Sequence, residues 1–179
     1  MRPYQGVLSG VRVLLVDDCK LVRATVAAML EYFGAVVTVA GSADEALKAV
    51  ECERPDVLLS HLAMPDKGGY WLIGQVRSLP LERGGATPAA ALTGFTGPEH
   101  RASVLRAGFQ HHIEKPVTLY NLAEIVSILV LNAQSQPHSV QEFHRSTAPN
   151  HAGLADGILV GAQGVFEAAP RPWAAYGRN

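Results

Sequence analysis

Short apolar runs alternate with helical segments through most of this chain, and few folds can accommodate that alternation. Runs of four to six mostly apolar residues are typical of strands whose two faces are both covered. They are predicted at residues 11–16, 36–40, 57–60, 89–93 and 109–114, with helices at about 20–33, 43–52, 70–79, 98–107 and 119–132. Because strands and helices alternate and their connections are short, we expect an α/β fold with a doubly wound, parallel five-stranded sheet.

Several residues mark the predicted ends of the helices. Ser42 and Thr96 each lie three residues before a glutamate, which is the spacing of a capping box. Thr118 is placed to cap the last helix, and Gly108 can end the fourth. These positions predict where the connections between strands and helices begin.

The composition describes an ordinary globular protein and excludes several functions. The chain has 179 residues, of which 48% are hydrophobic and 17% charged, so it can bury a core. Its formal net charge of −1 and pI of about 6.6 give no basic field for phosphate backbones, so nucleic acid is not expected as a direct partner. No apolar run approaches the ~18 residues of a membrane span, and the first residues lack a secretory signal, so we expect a cytoplasmic protein without membrane contact.

The sequence pattern divides the chain into three parts. Residues 1–10 form an N-terminal lead, residues 11–132 carry the alternating elements, and residues 133–179 lose periodicity, which predicts a flexible C-terminal extension. The two cysteines, Cys19 and Cys52, are far apart and form no CxxC pair, so neither a disulfide nor a zinc-finger site is predicted. We expect Cys19 to be a small buried residue at the start of the first helix.

Polar side chains collect where the predicted strands end. Asp17 and Asp18 follow the first strand, and His61 follows the third. Thr93 ends the fourth strand, and Lys115 follows the fifth. Because the carboxyl ends of parallel strands form the ligand crevice of such sheets, we expect these five side chains to form the functional site.

The motifs at these strand ends are similar in order and spacing to those of one family. They are Leu-Val-Asp-Asp at 15–18, the stretch at 55–65, Leu-Thr at 92–93, and Glu-Lys-Pro at 114–116. From about Val11 to Leu131, the chain resembles the receiver domain of bacterial two-component response regulators, the CheY-like superfamily. The resemblance implies a flavodoxin-like (βα)5 fold with strand order 2-1-3-4-5. It also implies a role in phosphorelay signal transduction, and not that of an enzyme.

The resemblance also implies a metal site. In the family, an acidic pair, a third aspartate and a backbone carbonyl hold Mg²⁺, and Asp17, Asp18 and the carbonyl of Ala63 match the pair and the carbonyl. Lys115 matches the lysine that neutralises charge on the transferred phosphoryl group. We therefore expect Mg²⁺ as the cofactor by this resemblance.

A conformational switch accompanies this site in the family. Thr93 matches the hydroxyl residue that binds the phosphoryl group and thereby moves its loop. His112 lies three residues before Lys115, where the family has an aromatic side chain that moves with the loop. The switch is altered here, since imidazole is planar but only partly apolar.

His61 departs from the family pattern. Aligning the Met-Pro pair at 64–65 places His61 at the position of the phosphoacceptor aspartate, and Asp56 lies at the other end of the strand. The acyl phosphate of this family requires a carboxylate, so we expect aspartyl phosphorylation to be impaired. Loss of the third carboxylate is also expected to weaken Mg²⁺ binding.

Three interpretations of His61 remain open. In the first, it is simply an inactivated acceptor. In the second, a protonated His61 pairs with Asp17 and Asp18, mimics the charge of the metal and locks one conformation. In the third, it joins those two aspartates, and Cys19, in a site for a softer ion such as Zn²⁺ or Mn²⁺.

Two classes of function follow from these interpretations. The domain is either a phosphorelay receiver whose acceptor has been replaced, or a pseudo-receiver that binds proteins without being phosphorylated. The expected partner is a sensor histidine kinase or a phosphotransfer protein, and a homodimer could form through the face of helix 4, strand 5 and helix 5. The lead before the first strand also fits a receiver excised from a larger hybrid kinase. A flavodoxin-like enzyme is disfavoured, because no glycine-rich phosphate loop follows the first strand.

Overall fold

The five predicted strands form one parallel sheet. The computed structural model describes residues 6–135. Its strands are β1 (Arg12–Val16), β2 (Val36–Ala40), β3 (Val57–His61), β4 (Ala89–Thr93) and β5 (His111–Glu114). All neighbouring pairs are parallel, and the order across the sheet is β2-β1-β3-β4-β5. The predicted flavodoxin-like order 2-1-3-4-5 is therefore confirmed.

Helices cover both faces of this sheet. They are α1 (Lys20–Tyr32), α2 (Ala43–Glu53), α3 (Gly69–Ser78), α4 (Pro98–Ala107) and α5 (Leu119–Gln134), with a short 3-10 helix at Leu81–Arg83. Helices α1 and α5 pack on one face and α2, α3 and α4 on the other, each layer with its own core cluster. Within β1, Val13 and Leu15 join the first cluster and Leu14 and Val16 the second, as the two-residue period of a strand requires. In the part of the chain that the structure describes, no helix is long and apolar enough to cross a membrane.

The helix starts agree with the predicted caps at two positions and differ at a third. The hydroxyl groups of Ser42 and Thr118 each accept a backbone N–H from three residues later, at 3.3 and 3.4 Å. The predicted cap at Thr96 is wrong, because α4 begins after Gly97, which makes no side-chain cap bond. Gly97 has a φ of 110°, and Pro98 then occupies the first helical turn, where its fixed φ favours the start of a helix. Gly108 ends α4 as predicted.

Leu8, within the predicted N-terminal lead, is part of the core. Its side chain is fully buried in the cluster on the α1 and α5 face of the sheet. Its backbone N–H donates to the carbonyl of Phe33 at 3.0 Å, which ties the lead to the end of α1. The predicted C-terminal extension at 133–179 lies outside the described residues, except for the end of α5 and Ser135.

Candidate functional site

The polar residues at the strand ends come together in one pocket at the carboxyl edge of the sheet. Asp17 follows β1 and is fully buried, while the neighbouring Asp18 is exposed. His61 is the last residue of β3, and Lys115 follows β5 directly. These four side chains contact one another through the atoms described below. Thr93, the fifth residue that the sequence predicts for this site, ends β4, and its hydroxyl bonds within the loop that follows.

Asp17 is the centre of this pocket. One carboxylate oxygen, Oδ1, accepts the backbone N–H of Cys19 at 3.0 Å. The other, Oδ2, lies 2.6 Å from Lys115 Nζ. Because the side chain of Asp17 is only 1% exposed, its charge requires such partners. Lys115 therefore neutralises Asp17 directly.

The imidazole of His61 lies between the two aspartates and the lysine. Its Nδ1 is 3.4 Å from Asp17 Oδ2 and 3.4 Å from Asp18 Oδ1. Lys115 Nζ lies 3.5 Å from the same nitrogen. Within residues 6–135, the three side chains Asp17, Asp18 and His61 form a group whose donor atoms all lie within 4.8 Å of one another, close enough to hold a metal ion together.

The backbone around His61 is held by close packing of the N-terminus of α3 against the end of β3. A Cβ atom on Gly69 would lie 2.4 Å from the carbonyl oxygen of His61 and 3.0 Å from Ser60 Oγ. Ser60 is buried, and its hydroxyl donates to the same carbonyl at 2.9 Å. Sequence reasoning missed both residues, although the glycine pair at 68–69 was a signal that two backbone segments approach closely.

The two predicted switch residues meet through the loop after β4. Thr93 is buried, and its hydroxyl accepts the backbone N–H of Phe95 at 3.0 Å. The Nε2 atom of His112 lies 3.3 Å from the carbonyl oxygen of Phe95. The ring of His100, a residue that the sequence did not single out, packs between Phe95 and His112, with centroid distances of 5.5 and 5.7 Å. Protein contacts therefore link Thr93 to His112.

Asp56 lies at the opposite end of β3, as predicted, and takes no part in the pocket. Arg12 donates to its two carboxylate oxygens from Nη2 at 2.8 Å and from Nε at 3.2 Å. Burial acts to raise the pKa of Asp56, but the hydrogen bonds and charge of Arg12 outweigh it and leave that pKa below its ordinary value.

Known proteins share this fold and this order of elements. A family model described as "Response regulator receiver domain" matches residues 13–127. The chain belongs to this family. A protein of Leptolyngbya boryana, described as "Uncharacterized 14.6 kDa protein in sodA1 3'region", is 44% identical to it over 119 residues, or 66% of this chain and 89% of that protein. The response regulator MprA of Mycobacterium ulcerans is 33% identical over 113 residues, or 63% of this chain and 47% of MprA.

Solved receiver domains share the fold of this one. The receiver domain of the sensor histidine kinase PA1611 of Pseudomonas aeruginosa superposes with a TM-score of 0.62 at 28% identity, over 68% of this chain and 98% of that domain. That structure is described as having a magnesium ion coordinated in the active-site cleft. The chain spans less than half the length of MprA, so the receiver is only one part of that relative. Receiver domains act in two-component signalling with histidine kinases or phosphotransfer proteins, and are generally not enzymes.

Receiver domains bind Mg²⁺ in this acidic pocket, and the donors of this chain suit that ion only in part. Asp17 and Asp18 supply the carboxylate oxygens that Mg²⁺ prefers. The third donor is the imidazole nitrogen of His61, which transition metals bind better than Mg²⁺ does. Ala63 is exposed in the loop after β3, and its role as a backbone ligand stays a prediction.

The prediction that Cys19 is buried is wrong. Cys19 precedes α1 as its N-cap residue and is exposed. Asp17, directly after β1, is still buried, but the chain then leaves the sheet, and Asp18, Cys19 and Lys20 are all exposed. The sulfur of Cys19 also does not belong to the donor group of Asp17, Asp18 and His61.

Proposed function

We propose that this domain is a two-component receiver in which His61 replaces the acceptor aspartate, so that aspartyl phosphorylation is impaired. The observation that carries the proposal is the position of the His61 ring, 3.4 Å from both aspartates and 3.5 Å from Lys115 Nζ. In a receiver, the acceptor carboxylate attacks from this position at the end of β3. An imidazole there can form only a phosphoramidate, from an atom that lies in a different direction.

The charge of the pocket further supports the proposal. The side chains of Asp17 and Asp18 carry two negative charges and Lys115 one positive charge, whereas a third aspartate would add another negative charge. At an effective dielectric constant of ~20, a unit charge about 4 Å away contributes about 4 kcal/mol before desolvation is counted. Loss of part of that attraction weakens the binding of Mg²⁺, and the transfer of a phosphoryl group requires this ion.

A second candidate function is that of a pseudo-receiver, which binds a partner protein without phosphorylation. The observation in its favour is the link from Thr93 through Phe95 to His112, which connects the switch residues by protein contacts. Phe95 is 62% exposed beside this link and offers an apolar contact. The partner would be a histidine kinase or phosphotransfer protein, or a second copy of the domain, bound through the face of α4, β5 and α5.

Phosphorylation by radiolabelled acetyl phosphate, in the presence of Mg²⁺, tests the proposal. The unaltered chain should acquire no base-labile label, because it lacks an acceptor carboxylate. The His61→Asp variant should acquire such a label. The control, His61→Asn, should not, because asparagine has the size of aspartate but no carboxylate to form an acyl phosphate.

Two outcomes would change the assignment. A base-labile acyl phosphate on the unaltered chain would contradict the proposal outright. A His61→Asp variant that folds and binds Mg²⁺ but remains unlabelled would favour the pseudo-receiver, since the rest of the pocket would then also be incompetent.

A further inference from the structure

We propose that Asp17, Asp18 and His61 bind a divalent transition-metal ion, with Zn²⁺ and Mn²⁺ preferred over Mg²⁺. Like the proposed function, on which it rests, this site requires His61 at the end of β3 instead of a carboxylate. It adds a ligand class to the pocket, because the substitution that removes the acceptor also supplies a nitrogen donor.

The spacing of the three donor atoms fits a single ion. Two ligands about 2.1 Å from a tetrahedral ion lie about 3.4 Å apart. The Nδ1 atom of His61 is 3.4 Å from Asp17 Oδ2 and 3.4 Å from Asp18 Oδ1. The donor atoms of all three residues lie within 4.8 Å of one another, so one ion can contact them once the side chains close around it.

The donor types decide which ion is favoured. Mg²⁺ takes oxygen ligands in a near-octahedral arrangement and keeps several waters. Imidazole nitrogen suits Zn²⁺ and the other later first-row transition ions, and a mixed site of this kind binds Zn²⁺ more tightly than Mn²⁺. Replacing an oxygen donor by the nitrogen of His61 therefore lowers the affinity for Mg²⁺ and retains that for the transition ions.

Lys115 lies beside the donor atoms and lowers the affinity of the pocket for any divalent ion. Its Nζ lies 2.6 Å from Asp17 Oδ2 and 3.5 Å from His61 Nδ1, so a bound cation would lie close to its charge. A carboxylate oxygen has lone pairs for both the lysine and the ion, so the contact with Asp17 need not break. The repulsion acts equally on any divalent ion, so it leaves the order of the affinities to the donor types.

The protein holds two of the ligands in place and leaves the third accessible. Asp17 is buried and oriented by the N–H of Cys19, and His61 ends a strand whose last carbonyl accepts the hydroxyl of Ser60. The side chain of Asp18 is 37% exposed. A rigid pair with one accessible carboxylate gives an ion from solvent a path into the site.

Calorimetric titration of the full chain with ZnCl₂, MnCl₂ and MgCl₂ tests the site. In the unaltered chain, we expect Zn²⁺ to bind at least about tenfold more tightly than Mg²⁺. His61→Ala should weaken Zn²⁺ and Mn²⁺ at this site by about tenfold or more, since even residues that only support a ligand change affinity by that factor. His61→Asp should narrow the difference in affinity between Zn²⁺ and Mg²⁺, because it restores an oxygen donor.

Because the chain has seven histidines, a matched control is needed. His111→Ala removes a histidine of β5 that is not part of the donor group and should leave the binding unchanged. Asp18→Asn alters an exposed ligand and keeps its size, so it tests the site even where His61→Ala disturbs the fold. Circular dichroism of each variant verifies the fold.

The result that would overturn this site is Zn²⁺ binding that stays the same in both His61→Ala and Asp18→Asn, or equal affinities for Zn²⁺ and Mg²⁺ in the unaltered chain. The titration contains no phosphodonor, so it is independent of the labelling experiment. A chain that binds Zn²⁺ through His61 yet carries an acyl phosphate would contradict only the proposed function. A chain that is neither labelled nor able to bind Zn²⁺ would contradict only the metal site.

Discussion

At the scale of single residues, each end of the sheet has an ion pair, and the two pairs differ in how far their side chains are exposed to solvent. The pair of Asp17 and Lys115 has side chains 1% and 23% exposed, whereas that of Asp56 and Arg12 has side chains 38% and 52% exposed. Screening by water reduces the second pair to a small contribution to stability. The first is shielded, so its charges govern what the pocket can bind.

The pair of Arg12 and Asp56 predicts a pH dependence of stability. The pKa of Asp56 is lowered in the folded state, so its contribution is present above the unfolded pKa of about 4 and is lost as the pH falls through the folded pKa. We expect Asp56→Asn to reduce the free energy of unfolding at pH 7 by about 1 kcal/mol or less, because the carboxylate is partly screened. Urea unfolding at several pH values measures this difference. A difference that did not shrink below about pH 4 would contradict the role of the charge.

At the scale of elements, the contact between β3 and α3 positions His61. Gly69→Ala would place a Cβ atom 2.4 Å from the carbonyl oxygen of His61, so one of two backbone segments must move. We expect a loss of about 1–3 kcal/mol in the free energy of unfolding, as for overpacking in a core. Gly74→Ala is the matched control within α3, because its Cβ atom would meet nothing within 4 Å. This substitution should stabilise the helix by about 0.5–1 kcal/mol, since alanine loses less backbone entropy than glycine on folding. Equal effects of the two substitutions in urea unfolding would show that the approach at Gly69 is not tight.

The same elements show what a sequence can predict and why. Strand ends are marked by the change from apolar to polar residues, so Asp17, His61 and Lys115 could be assigned to one edge of the sheet. Because the strands pair in parallel, their carboxyl ends lie at the same edge of the sheet and bring these side chains close together. The exposure of Cys19 and the ring of His100 could not be predicted, because both depend on the path of loops that carry no periodic pattern.

At the scale of the whole domain, the limits of the fold are set by packing and not by the alternation of elements. The sequence predicts the start of the domain at residue 11, where the first apolar run begins. The structure places Leu8 under the α1 and α5 layer, in the cluster that includes Leu30 and Phe33. A single apolar residue in a turn has no period to reveal it, so such a contact is visible only once the fold is known.

Burial of Leu8 predicts that the core of the domain includes part of the lead. Leu8→Ala should lower the free energy of unfolding by about 2–5 kcal/mol, the usual cost of such a cavity. Val7→Ala is the control, because Val7 is 49% exposed beside it and should change little. Removal of residues 1–10 should destabilise the domain at least as much as Leu8→Ala, since it also removes the bond from the Leu8 N–H to Phe33. A shortened chain as stable as the full one in thermal and urea unfolding would instead support the boundary at residue 11, because the core would then close without Leu8.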